Sequence, residues 1–401
     1  LFTHVGNNLN VSWGAGGGNG LMSVEYIFEG ETAHSAGAPW RGRSALDAVE
    51  LMSVGWQYRR EHLRLSQRSH SVIVNGGDQP NVVPRNASIW FYFRENDQPH
   101  IQELWDIGYK MAEGAALMTN TTWTSRILGT AYPQHFNKPV ADTVFANIQR
   151  VGLPEWSEAD QTLAKGLQKE LGNPTQPGLA TKLAEMGQPV KNEDNMGGGS
   201  DDIGDVSWNV PTITLSYPSN IPGTPGHNWA DAIAMATPIA HKGSTAGAKV
   251  MATTMLDLFA RPGLVADSWK YFNDVQTKER KYISFLKADD KPAVHLNKEI
   301  LEQYREKMRP YYYDSTKYKT YLEQLGIKYP TVRATLFAAV ASWGVITARF
   351  GLRYPLAPCA TAWTLFLLVR GLRRDSRNSL LLAGLWVGIG LQGYTAYRFM
   401  A

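Results

Sequence analysis

Met22-Ser-Val-Glu-Tyr-Ile-Phe-Glu29 alternates apolar and polar side chains over a short stretch of the chain. Val24, Tyr26 and Phe28 share one side, and their polar neighbours share the other, which is the period-two pattern of a half-buried strand. After a loop rich in Gly, Ala and Pro, Ser44-Ala-Leu-Asp47 has the form of a capping box and predicts a helix that runs to about His62. This strand and this helix are the first two elements of one predicted unit.

The unit continues to residue 134. Its further predicted elements are two strands, a helix and a last strand, at 71–74, 87–95, 101–118 and 122–131. The order strand, helix, strand, strand, helix, strand is typical of the ferredoxin-like βαββαβ fold. We therefore predict one ferredoxin-like domain over residues 22–134, called the lid domain below.

The sequence on either side of the lid domain has a different pattern. Residues 135–330 favour longer helices around an apolar strand at 212–216, which is typical of part of an α/β domain followed by a helical extension. Residues 1–21 include the glycine-rich run Gly14–Gly20, which lacks the lysine of a phosphate-binding loop and predicts a flexible turn. The predicted fold class is α/β, with the lid domain inserted between two parts of a partial α/β domain.

Residues 331–401 form a hydrophobic tail of different composition, with eight Arg, one Asp and neither Lys nor Glu. Uncharged segments at 334–348, 354–369 and 379–397 predict membrane helices, although only the last approaches the roughly 20 residues that span a bilayer. The arginines between the last two segments would place the rest of the chain on the cytoplasmic side. The alternative interpretation is an out-of-frame or misjoined reading, so localisation stays open.

Composition restricts the function classes. The formal net charge of +4 comes from the tail and leaves the rest of the chain mildly acidic, which does not favour nucleic-acid binding. Cys359 is the only cysteine, so an intramolecular disulfide and a cysteine-based metal site are excluded. The chain begins with Leu1 and not with Met, and we interpret it as a fragment whose start lies upstream.

Histidine is the most informative residue type for chemistry. His4, His34, His227 and His241 lie near strand ends, in loops rich in Gly and Pro, or at a helix start. A neutral imidazole in such a place is a suitable metal ligand or proton carrier. By composition alone, a structural histidine is the commoner case.

Several spaced motifs carry a family resemblance. They are Phe28-Glu-Gly-Glu-Thr-Ala-His34, Ala38-Pro-Trp-Arg-Gly-Arg-Ser44, Asn81-Val-Val-Pro84 with Arg94, Gly199-Ser-Asp-Asp-Ile-Gly-Asp205, Gly223-Thr-Pro-Gly-His227 and Ala240-His-Lys-Gly243. In this order they resemble the metal-dependent amidohydrolases that include aminoacylase and glutamate carboxypeptidase, and most closely the branch that hydrolyses p-aminobenzoyl-glutamate. The resemblance covers residues 1–265 well and 266–330 loosely.

The resemblance implies an enzyme with two divalent metal ions, zinc or manganese, that activate a water molecule to cleave the amide bond of an N-acyl or N-aroyl amino acid. It assigns His227 and His4 as metal ligands. It assigns His34 and Asn81 as catalytic residues that stabilise the oxyanion in the neighbouring protomer's site, and so implies a homodimer formed through the lid domain. Arg94 would bind the carboxylate of the substrate, which the guanidinium fork suits.

Four further residues, Asp201, Asp202, Asp205 and His241, are expected to support the ligands or shape their loops. Two alternatives stay open. His34 could cap the loop before Ser44, and Arg94 could be a surface residue stacked beside the aromatic residues of its own strand.

The sequence also departs from the family. Neither a His-x-Asp motif nor a Glu-Glu pair occurs in it, although the family uses both for metal binding and for the general base. We therefore expect the chain to hold only part of the ligand set and to be inactive by itself. The rival hypothesis is a non-catalytic, membrane-tethered dimerisation module.

Overall fold

The computed structural model describes residues 1–15, 18–173, 175, 177–189, 194–291 and 293–331. Its strands are β1 (Phe2–Gly6), β2 (Asn10–Val11), β3 (Gly14–Ala15), β4 (Gly20–Glu29), β5 (Arg68–Asn75), β6 (Asn86–Glu95), β7 (Thr122–Ala131), β8 (His135–Phe136) and β9 (Thr214–Pro218). Its helices are α1 (Ala45–Arg60), α2 (Gln98–Thr119), α3 (Lys138–Val151), α4 (Glu158–Glu170), α5 (Ile203–Ser207), α6 (Trp229–Met235), α7 (Pro238–Ala260), α8 (Pro262–Tyr271), α9 (Lys298–Met308) and α10 (Tyr321–Gln324).

The fold is mixed α/β, and the chain divides into two compact units. The first unit comprises Leu1–Leu153, Lys182–Tyr217 and Thr245–Ala293. The second comprises Pro154–Thr181, Pro218–Ser244 and the described residues from 294 onward. Apart from Thr331, the predicted hydrophobic tail lies outside the described residues. Among the described helices, none combines the length and the apolar character needed to cross a membrane.

An antiparallel four-stranded sheet with the order β5-β6-β4-β7 organises the first unit. Helix α1 follows β4, and helix α2 follows β6, so these elements run strand, helix, strand, strand, helix, strand along the chain. The register places Val24 opposite Phe91 and Tyr26 opposite Ile89, and all these side chains are buried. The alternation around residues 22–29 therefore sets the core face of the sheet.

Local capping fixes where α1 begins. The Ser44 hydroxyl accepts a hydrogen bond from the backbone N–H of Asp47 at 3.1 Å, which satisfies a donor that the first turn leaves unpaired. The buried side of the helix includes Met52 and Trp56, and Trp56 packs its ring 4.8 Å from that of Phe93. The predicted helix start is thus present in the structure.

The outer face of β4 differs from the prediction of a half-buried strand. Ser23 and Glu25 are both buried, because longer side chains from the neighbouring strands cover them. Trp90 Nε1 donates to Ser23 Oγ at 2.8 Å, and the Arg126 guanidinium lies 2.6 Å from the Glu25 carboxylate. A buried carboxylate is tolerated here because it is paired.

A second sheet, with the order β1-β9-β2, belongs to the same unit and packs with α3 around a separate core. Strand β9 begins two residues later than predicted, since the carbonyls of Thr212 and Ile213 accept instead from Asn137 and Phe2. The prediction of a flexible turn at Gly14–Gly20 is wrong for its described residues. Strand β3 pairs with β8, and Asn19 is only 1% exposed.

The second unit contains α4, α6 and the beginning of α7 around its own apolar core, which includes Leu163, Ile221 and Ile239. A complete capping box starts α4, with Ser157 and Asp160 bonding each other's backbone N–H. Asp160 is fully buried and also accepts from Lys242 and Tyr329, each at 2.7 Å. This network joins segments that are far apart in the sequence.

Candidate functional site

His4 lies in β1 beside a cavity of about 270 Å³ in the first unit. Its ring Nδ1 is 2.7 Å from the backbone oxygen of Val5, so Nε2 is the ring nitrogen left to face a ligand. Histidines that bind metals usually donate their other ring N–H to a carbonyl or carboxylate in this way. The geometry of His4 therefore fits the predicted role of a metal ligand.

Of the three aspartates in the 201–205 loop, only Asp201 lines the His4 cavity. Its Oδ1 accepts from Gln134 Nε2 at 2.6 Å and from the backbone N–H of Ile203 at 3.0 Å. Asp202 is exposed and makes no capping bond through its side chain. The structure thus brings Asp201, and not Asp202, next to His4.

Asp205 is engaged elsewhere. One carboxylate oxygen accepts from the backbone N–H of Tyr132 at 3.0 Å, and the other accepts from the Tyr282 hydroxyl at 2.8 Å. Burial, and then the bond to Asp205, raise the pKa of Tyr282 to about 12. Asp205 therefore fastens the segment around Tyr282 to the end of the lid domain.

The loops of His34 and Asn81 lie side by side. Ser35 N–H donates to the Asn81 carbonyl at 3.0 Å, and His34 forms a bridge with Val82. Both the His34 and the Asn81 side chains are exposed. The structure therefore brings these two predicted catalytic residues together and leaves them facing outward.

The tautomer of His34 follows from its backbone contacts. Nδ1 accepts hydrogen bonds from the N–H groups of Ala36 and Gly37, at 3.2 and 3.0 Å. In the neutral ring the proton must then be on Nε2, which becomes an outward donor. His34 thus caps the start of the loop before Ser44, as the structural alternative expects, and keeps a donor for a second purpose.

Arg94 lies near the end of β6 on the outer face of the lid sheet. Its guanidinium carbon is 5.3 Å from the centre of the Tyr92 ring, and Nη1 is 3.5 Å from the carbonyl of Gly198. Nε is buried and has no hydrogen-bond partner. Within the described residues Arg94 forms no ion pair, which leaves its fork available to an anion.

His227 and His241 belong to the second unit. His227 is exposed, with a positive φ of 54°, a conformation that is uncommon for a residue other than Gly. His241 lies in the first turns of α7 and lines a cavity with Tyr329 and Glu323. In the part of the chain that the structure describes, no group of three or more His, Cys, Asp or Glu side chains is arranged to hold a metal ion.

The sequence patterns did not identify three residues that the structure places at or near the candidate site: Gln134, Asn19 and His135. Gln134 holds Asp201 and lines both the His4 cavity and a second, aromatic cavity. His135 packs between Trp208 and Tyr271, and burial lowers its pKa to about 4. These residues belong to no recognisable motif, and Asn19 lies in a glycine-rich run. Only their positions in the fold therefore identify them.

Comparisons with known proteins show which families this chain resembles. Residues 17–107 match the peptidase dimerisation domain. The chain is 35% identical over 267 residues to one subunit of the p-aminobenzoyl-glutamate hydrolase of Escherichia coli (strain K12), covering 61% of this chain and 56% of that protein. It is 26% identical over 254 residues to the Xaa-Arg dipeptidase of Mus musculus, covering 63% of this chain and 50% of that protein.

A solved structure, the aminobenzoyl-glutamate utilization protein from Klebsiella pneumoniae, aligns at 19% identity and a TM-score of 0.31, covering 49% of this chain and 44% of that one. The sequence matches confirm the resemblance carried by the motifs, including the branch that hydrolyses p-aminobenzoyl-glutamate. The chain spans about half the length of the curated relatives it matches.

Proposed function

We propose that this chain is part of a metal-dependent amidohydrolase that cleaves the amide bond of an N-acyl or N-aroyl amino acid, with p-aminobenzoyl-glutamate as the first substrate to test. The observation that carries the proposal is Arg94, a guanidinium held over Tyr92 with no carboxylate partner in the described residues. A fork of this kind suits the free carboxylate of an acylated amino acid. The name of the relative that is 35% identical supports the same substrate class.

The proposed architecture is a ferredoxin-like lid domain inserted in an α/β metallohydrolase domain. The order of its strands and helices and the antiparallel four-stranded sheet support it. His4 and His227 are the metal ligands that this chain would contribute, and two divalent ions, when bound, would supply an activated water molecule. Asp201, through Gln134, would keep the His4 cavity in shape.

His34 and Asn81 would act on the carbonyl oxygen. The Nε2–H of His34 is directed away from its own loop, because Nδ1 is held by Ala36 and Gly37. An exposed donor and an exposed amide on adjacent loops can stabilise an oxyanion only if that oxyanion lies outside this lid domain, as in a partner protomer. Their roles therefore depend on a homodimer.

The function is tested by turnover. The protein expressed from its natural coding sequence should hydrolyse p-aminobenzoyl-glutamate, and His227→Ala should lose bound metal and activity together. The matched control is His62→Ala, because His62 is an exposed histidine whose Nε2 lies 3.1 Å from the carboxylate of its neighbour Glu61. Normal metal content and turnover in His227→Ala would contradict the proposal. A dimer without any turnover would favour the non-catalytic module instead.

The dimer interface is proposed on the α1 and β5 side of the lid domain. Val54 and Tyr58 of α1 are exposed, as are Val72, Ile73 and Val74 of β5, the edge strand. An exposed apolar edge strand is a template for pairing with another chain. The match of residues 17–107 to a dimerisation domain supports pairing through this domain.

The interface is tested by sedimentation. Ile73→Lys should shift the protein from dimer to monomer with little effect on folding. Thr124→Lys, on the opposite edge strand β7, is the matched control and should leave the dimer intact. A monomeric wild-type protein with full turnover would contradict the roles of His34 and Asn81.

A further inference from the structure

Asn19 has the most poorly satisfied side chain of the described first unit. It is 1% exposed, and both its Nδ2 and its Oδ1 lack a hydrogen-bond partner. Buried amides are almost always bonded, because removal from water without a new partner is costly. Asn147, an equally buried asparagine in the same unit, shows the ordinary case, since its Nδ2 donates to Thr254 and Asp257.

Asn19 lies one residue before β4, the strand that pairs with the Arg94 strand β6. Leu21 is opposite Arg94 in the β4–β6 register, and Asn19 lies two residues before Leu21. Side chains directly opposite each other in a sheet are on the same face, so Leu21 and Arg94 share a face. An unpartnered amide and a guanidinium with an unpartnered Nε therefore lie on either side of the start of β4.

One glycine segment covers both groups. A Cβ on Gly197 would lie 2.8 Å from Asn19 Nδ2, and the carbonyl of Gly198 is 3.5 Å from Arg94 Nη1. Gly197 also has a φ of 98°, which only glycine adopts without strain. The Gly199 carbonyl accepts from the Asn19 backbone N–H at 3.1 Å, whereas the Asn19 side-chain amide has no bond to this segment. The run Gly197–Gly199 presents no side chain that would block a flat group.

We propose that Asn19 is a specificity-determining residue that recognises the amide group of an N-acyl amino acid whose carboxylate lies on Arg94. Its Nδ2 donates to the acyl oxygen, its Oδ1 accepts from the amide N–H, and the Gly197–Gly199 segment shifts to admit the ligand. An acylated amino acid has its carboxylate and its amide on the same carbon, which fits neighbouring guanidinium and carboxamide groups. The inference rests on the proposed function for the substrate class, and it adds Asn19 as a residue that binds the amide group of the substrate.

The test uses the chain, N-benzoyl-L-glutamate as the probe, and calorimetry with thermal unfolding. Asn19→Leu should weaken binding about tenfold or more, since two hydrogen bonds are lost. The melting temperature of the unliganded variant should stay the same or rise, because the unpartnered amide is gone. Asn147→Leu is the matched control and should lower the melting temperature while leaving the affinity unchanged.

A second probe separates recognition from packing. The benzoate ester of 2-hydroxyglutarate has the same shape but no N–H, so the wild-type chain should bind it more weakly than the amide, and Asn19→Leu should bind both alike. Equal affinities of wild type and Asn19→Leu, an absent amide preference in wild type, or a wild type that binds neither probe would overturn the inference. Calorimetry and thermal unfolding measure binding alone. Absence of turnover by the protein from its natural coding sequence would instead count against the proposed function.

Discussion

The Asp160 network of the second unit and the Asn19–Arg94 site of the first unit differ in how their buried polar groups are bonded. In the second unit, the Asp160 carboxylate is fully buried and accepts bonds from Lys242, Tyr329 and the backbone of Ser157. In the first unit, the equally buried Asn19 amide has no partner, and Arg94 close by has a buried Nε without one. Burial is the same in both places, whereas hydrogen bonding differs.

The difference separates a structural role from a recognition role. A fully bonded buried carboxylate stabilises the fold that surrounds it, and removal of one partner exposes the cost of its burial. An unbonded buried amide gives the fold nothing comparable, but it keeps its donor and acceptor for a ligand. Stability measurements should therefore respond strongly to changes around Asp160 and weakly to changes around Arg94.

The largest expected effect comes from Lys242→Met. This change leaves the Asp160 carboxylate buried and without its cation, and we expect the free energy of unfolding of the second unit to fall by about 3 kcal/mol, the lower end for a buried pair because Lys242 is partly exposed. Urea denaturation measures it.

The control is Lys138→Met, which breaks the ion pair between Lys138 and Asp142 on the exposed surface of α3. A pair of that kind contributes about 0.5 kcal/mol or less. Equal losses in the two variants would contradict the structural role of the Asp160 network.

The next effect is an acid response of the first unit through His135. Burial lowers the pKa of His135 to about 4, whereas the unfolded chain keeps a value near 6.5. The unfolded state binds the proton first, so stability is complete above about pH 6.5 and falls as the pH drops toward 4, by roughly 3 kcal/mol at most.

The Asp160 network should titrate lower. Burial by itself raises the pKa of Asp160, but the bonds from Lys242, Tyr329 and Ser157 together bring it below the ordinary value of 3.8. The stabilising contribution of Asp160 is therefore present above that value and is lost only as the pH falls further.

Acid unfolding of His135→Phe tests the effect of His135. The variant should lack the loss of stability between pH 6.5 and 4, and an unchanged profile would show that His135 titrates normally.

The sequence predicts what depends on near neighbours. The alternation at residues 22–29 and the Ser44 cap concern side chains a few positions apart, and the structure has the strand and the helix there. The pairing of Lys242 with Asp160 joins residues 82 positions apart, and the contact of Arg94 with Gly198 joins residues 104 apart. No local pattern encodes such contacts.

The candidate site divides along the same line. His34, Asn81 and Arg94 stand in motifs, so the family resemblance can single them out. Asn19 stands in a glycine-rich run that by composition predicts a turn, and only the fold brings both Asn19 and Arg94 against the Gly197–Gly198 segment. The burial that makes Asn19 notable is a property of the fold and not of its neighbours in the sequence.

The smallest expected effect on stability, and the sharpest test of the comparison, comes from Arg94→Met. Methionine keeps the apolar stem and removes a guanidinium that has no carboxylate partner, so the free energy of unfolding should change by no more than about 0.5 kcal/mol. Affinity for N-benzoyl-L-glutamate should nevertheless fall about tenfold or more, since a charge-assisted bond to the carboxylate is lost.

Arg68 is the matched control, because it lies directly opposite Arg94 in the β5–β6 register. Its guanidinium donates to the carbonyls of Leu65, Gln67 and Met196 at 2.7 to 2.9 Å. Arg68→Met should therefore lower stability by about 2 kcal/mol, as expected for bonds to a charged group, while calorimetry shows a smaller change in affinity than Arg94→Met. If Arg94→Met were the more destabilising of the two, Arg94 would be a structural cation like Lys242, and the distinction between the Asp160 network and the Asn19–Arg94 site would fail.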